Sequence, residues 1–364
     1  MNKNKIKRII KFIIIGIIII AVLIGIYIYS IWALYTRQPD TVYLETQLDG
    51  SYSYFTDDET VNTGDFYNIM TYNIGFGAYT SDYSFFMDGG KSSWAKSEDA
   101  LMANVSEISD VINFAGVDFI LLQEVDIDGT RSYHVNEIEL LNKYLKGYYY
   151  TEAINYDSMF LLYPVWQPHG RNKSAIATYS KAPIAESVRK SLPVSDDFSK
   201  LFDLDRCYTV SKIPTANEKM LCLYNVHLSA YGDDPAMKQA QLDKLLNDMA
   251  MEYKAGNYVV CGGDFNMDMR ADHVDNEYSW GQPFPRDQLP KGFSLGIDVT
   301  KDDNIEHDSC RNANEPYNPE TTFTITTDGF IVSDNIKVNY YNHANWEYAY
   351  SDHDPVIIQI ILKE

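Results

Sequence analysis

The chain has 364 residues and a formal net charge of −21. Residues 1–39 hold six basic residues and no acid, which leaves 24 basic against 51 acidic residues, a net of −27, for the remainder. So acidic a domain repels polyanions and strongly anionic membranes at long range. It lacks the basic footprint of a protein that holds long duplex nucleic acid. The length allows a sizeable core, as two domains or as one large mixed-sheet unit.

The amino end reads as a basic cytoplasmic segment, 1–11, carrying Lys3, Lys5, Lys7, Arg8 and Lys11. Phe12 to Tyr29 then runs eighteen residues without a charge, and the apolar character continues to Leu34. About 20 apolar residues suffice for a helix to cross a bilayer, so 12–35 is read as a transmembrane anchor. Positive charge on its amino side predicts a single-pass cell-membrane protein with its domain outside. Tyr27, Tyr29, Trp32 and Tyr35 suit an aromatic belt at the outer surface. A cleaved signal peptide is the alternative, but no A-x-A pattern follows Ile28.

Residues 36–65 are polar and read as a tether and entry segment. The folded domain is assigned to 66–364. YNIMTYNIG predicts a strand, 96–114 an amphipathic helix, and VDFILLQEV a buried strand because its apolar run is nearly continuous. A shorter helix is expected over 135–146. SAIATYS and 184–192 read as a strand pair around Lys181-Ala182-Pro183. Another pair, 207–213 and 219–228, turns through Pro214 to Asn217. The strongest helix is 235–254, after Asp233 and Asp234 and with Pro235 in its first turn. NYVVCGGDF is a strand ending in a glycine turn. Residues 267–320 read as a long irregular insertion with one short helix. Strands follow at 321–326, 328–333, 336–341 and 355–362. Together these predict a layered α/β sandwich, two mainly antiparallel sheets face to face with helices outside.

Several of these apolar runs end in a polar group: Asn73, Glu124, His227, Asp264 with Asn266, Asp328, and Asp352 with His353. Runs that end this way deliver such groups to one edge of a sheet. A shared site rich in oxygen ligands and holding two histidines suits a hard cation and a phosphate ester. Each group also has an ordinary reading. GGDFNMD makes an Asx turn, Glu124 a salt bridge, His227 a hydrogen-bonded core histidine, His353 a surface residue, and Asn73 a strand cap. The four cysteines have no metal-ligand spacing, which argues against a zinc site. Cys222 and Cys261 read as core residues, and the sequence decides no disulfide.

Taken in order, NIG, QEVD, NVHLS, GGDFNMD, DGFIVS and SDHDPV resemble the endonuclease/exonuclease/phosphatase superfamily over roughly 66–362. The resemblance implies a four-layered α/β sandwich and hydrolysis of a phosphoester with Mg²⁺ or Mn²⁺. It implies Glu124 as main metal ligand with Asn73 and Asp352. Asp264 would align or deprotonate the attacking water, with Asn266 holding water and phosphate. His227 and His353 would bind phosphate oxygens, with His353 as general base the alternative, and Asp328 would fix the tautomer of His353. Arg171, ahead of SAIATYS, is similar in place to a phosphate contact. Asn73 would also face substrate.

The expectation is therefore a monomeric, membrane-anchored, outward-facing phosphoester hydrolase acting on a small or lipid-linked phosphoester. An extracellular deoxyribonuclease-like endonuclease is one alternative. An inactive surface binding protein on the same scaffold is the other.

Overall fold

A computed structural model describes residues 3–35, 37–48, 60–194, 205–230, 235–271, 281–300, 305 and 307–364. In chain order the elements are α1 (Lys3–Leu34), β1 (Thr41–Tyr43), β2 (Gln47–Leu48), β3 (Phe66–Asn73), α2 (Glu98–Ala115), β4 (Phe119–Gly129), α3 (Glu137–Tyr144) and β5 (Tyr149–Asp157). There follow β6 (Asn172–Ser180), β7 (Glu186–Ser191), β8 (Cys207–Pro214), β9 (Met220–His227), α4 (Pro235–Lys254) and β10 (Tyr258–Asp264). The chain closes with β11 (Phe293–Leu295), α5 (Gly296–Val299), β12 (Cys310–Arg311), β13 (Thr324–Ile325), β14 (Asp328–Ser333), β15 (Ile336–His343) and β16 (Val356–Leu362).

Two seven-stranded sheets face each other. The first runs β15-β16-β3-β4-β6-β5-β2 and the second β1-β7-β8-β9-β10-β14-β11. Strand alternation sorts the apolar residues. Ile69 and Leu121 point between the sheets, against Leu223, Val260 and Val332. Their neighbours Met70, Ile120 and Leu122 point outward, where α2 and α3 cover them with Leu101, Val105, Ile108 and Leu141. On the far side α4 lays Leu242, Leu245 and Met249 over Cys222, Val259 and Cys261. Each such aliphatic side chain contributes about 1.5–3 kcal/mol on burial. The result is a four-layered α/β/β/α sandwich.

Helix ends follow local chemistry. The Ser97 side chain accepts the Ala100 N–H at the start of α2, and Gly116 ends the helix with φ of +61°, the conformation glycine adopts without strain. Pro235 opens α4 as expected, while Asp233 and Asp234 lie outside the described residues.

Three expectations are corrected. SAIATYS and 184–192 do not pair. β6 lies between β4 and β5 in the first sheet, and β7 between β1 and β8 in the second. Ala182 and Ile184 are buried in the core between the sheets, so the chain steps across the sandwich instead of reversing. The entry segment is not a free tether: β1 and β2 each add an edge strand, to β7 and β5 respectively, though 49–59 lie outside the described residues. The stretch 267–320 is not irregular throughout. β11 extends the second sheet against β14, and β12 pairs with β13; 272–280 and 301–304 lie outside the described residues.

Among the polar contacts between the sheets, a pair of amides lies deep in the core. Gln123 Nε2 donates to Asn225 Oδ1 at 2.8 Å, and Asn225 Nδ2 donates to the carbonyls of Leu122 and Ala177 at 3.1 and 2.9 Å. Both side chains are fully buried. A buried, satisfied amide pair of this kind fixes relative register.

Candidate active site

β3 and β4 are parallel neighbours in register Asn73↔Gln123. β9 and β10 are parallel in the other sheet, in register His227↔Asp264, and β14 runs antiparallel with Asp328 opposite Asp264. Strands of both sheets therefore place their polar ends at one edge of the sandwich. Gly263 makes the close approach possible: a Cβ there would lie 2.0 Å from the Val226 carbonyl oxygen.

Glu124 is aimed by a bulge. The pairing of β4 with β6 shifts register between Leu122 and Val125, and Glu124 takes φ of +54°. A non-glycine residue in this region is strained by roughly 1–2 kcal/mol. The bulge turns the half-buried carboxylate toward the cleft.

Asn73 lies at the centre. Its Nδ2 donates to Glu124 Oε1 at 3.3 Å and to Asp264 Oδ2 at 3.1 Å, and sits 3.5 Å from His353 Nε2. Its Oδ1 accepts the Gly75 N–H at 3.0 Å. Asp264 Oδ2 is also 3.6 Å from His227 Nε2 and 3.8 Å from His353 Nε2, and His227 Nε2 is 3.9 Å from Glu124 Oε1. Asp328 Oδ2 meets His353 Nδ1 at 2.7 Å. Asn266 donates its backbone N–H to Asp264 Oδ1 at 2.9 Å and its amide to the Leu228 carbonyl at 2.9 Å. The Asx turn is thus present, and it holds the buried Asp264 carboxyl. Asp352 is half-buried beside Gly75: a Cβ there would lie 3.1 Å from Asp352 Oδ1.

The two histidines are driven apart. Burial, then Arg206 and His353, hold His227 well below its usual range, so it is neutral. Burial opposes charge on His353, but Asp328 outweighs it and keeps the ring protonated. Burial, then the charge of Asp328, pushes Asp264 up to about 7, and burial, with Glu124 adding to it, pushes Asp352 up to about 6. Oppositely perturbed groups within bonding reach mark a candidate acid–base site.

The donors fit a hard divalent cation. Glu124, Asp264 and Asp352 offer carboxylate oxygens, and ligand atoms of Asp264, Asp328 and His353 lie within 4.8 Å of one another. Mutual repulsion among these carboxyls is what a cation relieves, and the Asn73 amide nitrogen already bridges two of them. No thiolate competes: the four cysteines are free and buried, and burial pushes Cys310, beside His353, up to about 12.

Arg171 is not brought to this site. Its side chain is 63% exposed and pairs with Asp157 at 3.5 Å, and it does not line the cleft although the buried His169 two residues before it does. The cations lining the cleft are Arg131 and Arg206. Arg131 grips Asp126 through two hydrogen bonds of 2.9 and 2.7 Å and stacks over Phe76. The cleft, open to solvent, is also lined by Tyr79, Phe85, Met87 and His169.

Sequence reasoning missed a supporting segment within 267–320. Ser309 Oγ donates to Asp328 Oδ2 at 2.8 Å and accepts the N–H groups of Thr327 and Asp328. The backbone of Ser309–Arg311 bonds Asp352 and Asp354 on either side of His353. An Asp-Ser-Cys-Arg run has no pattern of its own that gives this away.

The fold and the site define a class: a layered α/β sandwich whose strand ends meet in a carboxylate–imidazole cleft. A comparison with protein families matches the Endonuclease/Exonuclease/phosphatase family over residues 70–353, and the chain belongs to that family. A comparison with curated proteins found no match. Among solved structures, the chain is similar to an endonuclease/exonuclease/phosphatase family protein from Bacteroides thetaiotaomicron, at TM-score 0.55 and 16% identity over 82% of this chain and 98% of that one. It is also similar to a mannosyl-6-phosphatase from Bacteroides thetaiotaomicron, at TM-score 0.53 and 15% identity over 81% and 100%. A third likeness is to TDP2 from C. elegans, at TM-score 0.52 and 15% identity over 82% and 76%. At such identities these likenesses show the fold alone.

Proposed function

We propose that this protein is a membrane-anchored, outward-facing, divalent-metal-dependent hydrolase of a small or lipid-linked phosphoester. The convergence of Glu124, Asp264, His227 and His353 around Asn73, from strands of both sheets, carries the reading. Family membership supports the hydrolase class.

Glu124 and Asp352 would hold the cation, joined by Asn73 once its amide turns, since here its nitrogen faces Glu124 and its oxygen accepts the Gly75 N–H. When bound, it neutralises charge on the phosphoryl group and the leaving oxygen. Asp264 aligns the attacking water and takes its proton. The protonated His353, oriented by Asp328, donates to a non-bridging phosphate oxygen. His227 is neutral and donates from Nε2 to another. Asn266 holds the loop carrying Asp264, and Arg206 adds positive potential to the cleft wall.

The anchor reading rests on α1, which is long and apolar enough to cross a membrane. Its basic amino side favours a cytoplasmic start and an external domain. The acidic domain disfavours long nucleic acid, and a monomer with one site suffices for the chemistry.

The test is hydrolysis of bis-p-nitrophenyl phosphate by the full chain in detergent, with Mg²⁺, with Mn²⁺ and with a chelator. Metal-dependent release of nitrophenol is expected. Folded protein that stays silent in every ion overturns the reading, and efficient nicking of plasmid DNA replaces it with a nuclease.

A further inference from the structure

The connection from β5 to β6 contains an uncharged run, Ser158 to Pro168, whose apolar side chains face solvent. Phe160 and Leu162 are each 48% exposed, Tyr163 64%, Val165 80% and Trp166 66%. Elsewhere in the domain, exposed large apolar residues such as Phe114 and Met251 lie far from this run in the chain. A contiguous apolar patch calls for a partner.

The run is held firmly. Leu161 and Gly170 exchange both backbone hydrogen bonds, at 2.9 and 3.0 Å. His169 N–H donates to the Tyr163 carbonyl at 3.2 Å, and Trp94 Nε1 donates to the Pro168 carbonyl at 2.8 Å. The backbone is therefore satisfied while the side chains are presented outward.

Two observations name the partner. First, the run meets α1. The Tyr27 hydroxyl donates to the Phe160 carbonyl at 2.9 Å and accepts the Leu162 N–H at 2.8 Å. Counting about 20 residues of span from Phe12 ends at Ile31, about 6 Å beyond Tyr27 along the helix. The contact thus falls inside the outer end of the span, at the level of headgroups and upper acyl chains. Second, the charge pattern fits a zwitterionic surface. The run itself carries no charge, whereas the net of −27 beyond residue 39 gives no electrostatic attraction to a bilayer. Apolar and aromatic side chains at this depth are the kind that insert at an interface.

The same run leads to the cleft. Tyr163 packs on Trp166 at 6.2 Å and on Phe86 at 5.7 Å between ring centroids, and Phe86 packs on His169 at 5.5 Å. His169 and Phe85 line the cleft together with Glu124 and His227.

We propose that the 160–166 run is a second membrane contact, inserted in the outer leaflet beside α1, that seats the mouth of the cleft on the lipid surface so that the site takes the phosphoester headgroup of a lipid. This rests on the anchored hydrolase reading above. The bilayer both holds the domain and presents the substrate. A headgroup then reaches the site along the aromatic rim without leaving its leaflet.

The experiment uses the full chain in nanodiscs of phosphatidylcholine, with and without bromine on the acyl chains. Trp166→Phe isolates the emission of Trp166 from that of Trp32 in α1. Loss of the Trp166 emission in brominated discs is expected. Equal Trp166 emission in both discs overturns the proposal. The same samples are given two substrates sharing a leaving group: soluble ethyl p-nitrophenyl phosphate and disc-embedded hexadecyl p-nitrophenyl phosphate. A Val165→Asp, Trp166→Asp double variant should keep the soluble rate and lose about tenfold on the embedded substrate. Equal retention on both substrates also overturns the proposal. If the wild type hydrolyses neither, the hydrolase reading and the headgroup role fall together, and the quenching alone decides the membrane contact.

Discussion

Asp264 and His353 carry the proposed proton transfer and charge stabilisation, so Asp264→Asn and His353→Ala should each lower kcat at least ~10²-fold while the protein stays folded. Asp328→Asn should cost ~10–100-fold, because it leaves His353 in place but removes the group that orients and charges it. Unchanged rates in all three would assign these residues to structure. Glu124 offers a sharper contrast. Its φ of +54° is strained for a side chain, so Glu124→Gly should change stability by no more than ~1 kcal/mol while metal-dependent turnover disappears. Calorimetry beside an activity assay separates the two effects. Glu137 lies apart from this chemistry. Burial, then Asp126, holds its carboxyl well above the ordinary value of 4.5. Unfolding releases that proton above pH 4.5, so this group destabilises the fold increasingly as pH rises from there toward its folded value. Glu137→Gln keeps an acceptor for the Asp126 N–H. It should raise Tm at neutral pH, with the gain fading to nothing below about pH 4. A gain that instead grows in acid would contradict the burial argument. Asp264, Glu124, Asp328 and His353 were legible because each lies at one end of an apolar run. Ser309, Gln123 and Asn225 were not, because their roles come from contacts across the sandwich that spacing does not encode.

At the scale of elements, long periodic segments were readable to within two or three residues. The helix expected at 96–114 is Glu98–Ala115, and the strand expected at 328–333 is Asp328–Ser333. Short edge strands were not readable, since two or three residues in β1 and β2 carry no period. β5 mixes tyrosines with Glu152 and Asn155 and exposes alternate residues, so its apolar alternation is weak. The false β6–β7 pair shows the remaining difficulty. A proline between two strands reads as a turn whether the chain reverses within a sheet or crosses to the next. The join between sheets is testable. Asn225→Leu removes the donor to the buried carbonyls of Leu122 and Ala177 and one of the three acceptors of the Gln123 amide, and should cost about 1–3 kcal/mol. It should also lower turnover, because Glu124 and Asp264 stand on opposite sheets. A variant as stable and active as wild type would remove the lock from the account. Gly263→Ala should be worse, several kcal/mol, since its Cβ meets the Val226 carbonyl at 2.0 Å and cannot be relieved without breaking the β9–β10 pairing.

For the whole molecule, the proposed function rests on the distribution of charge and on the apolar helix α1. On the proposed reading, the net of −27 beyond residue 39 disfavours polyanions, and β1 ties the segment after α1 to the second sheet through β7. The Tyr35 hydroxyl and the Gln38 N–H both donate to Asp205, at 3.1 and 2.8 Å. The domain is therefore held close to the end of its helix and does not swing on a long tether. The proposed chemistry depends on one cation held by Glu124, Asp352 and Asn73 on the first sheet, facing Asp264 and His227 on the second. The most direct measurement is an electron paramagnetic resonance titration of the full chain with Mn²⁺. One bound ion per chain is expected, weakened ~10–100-fold by Glu124→Gln and untouched by Arg171→Ala. Mn²⁺ binding that is identical in wild type and Glu124→Gln would contradict it.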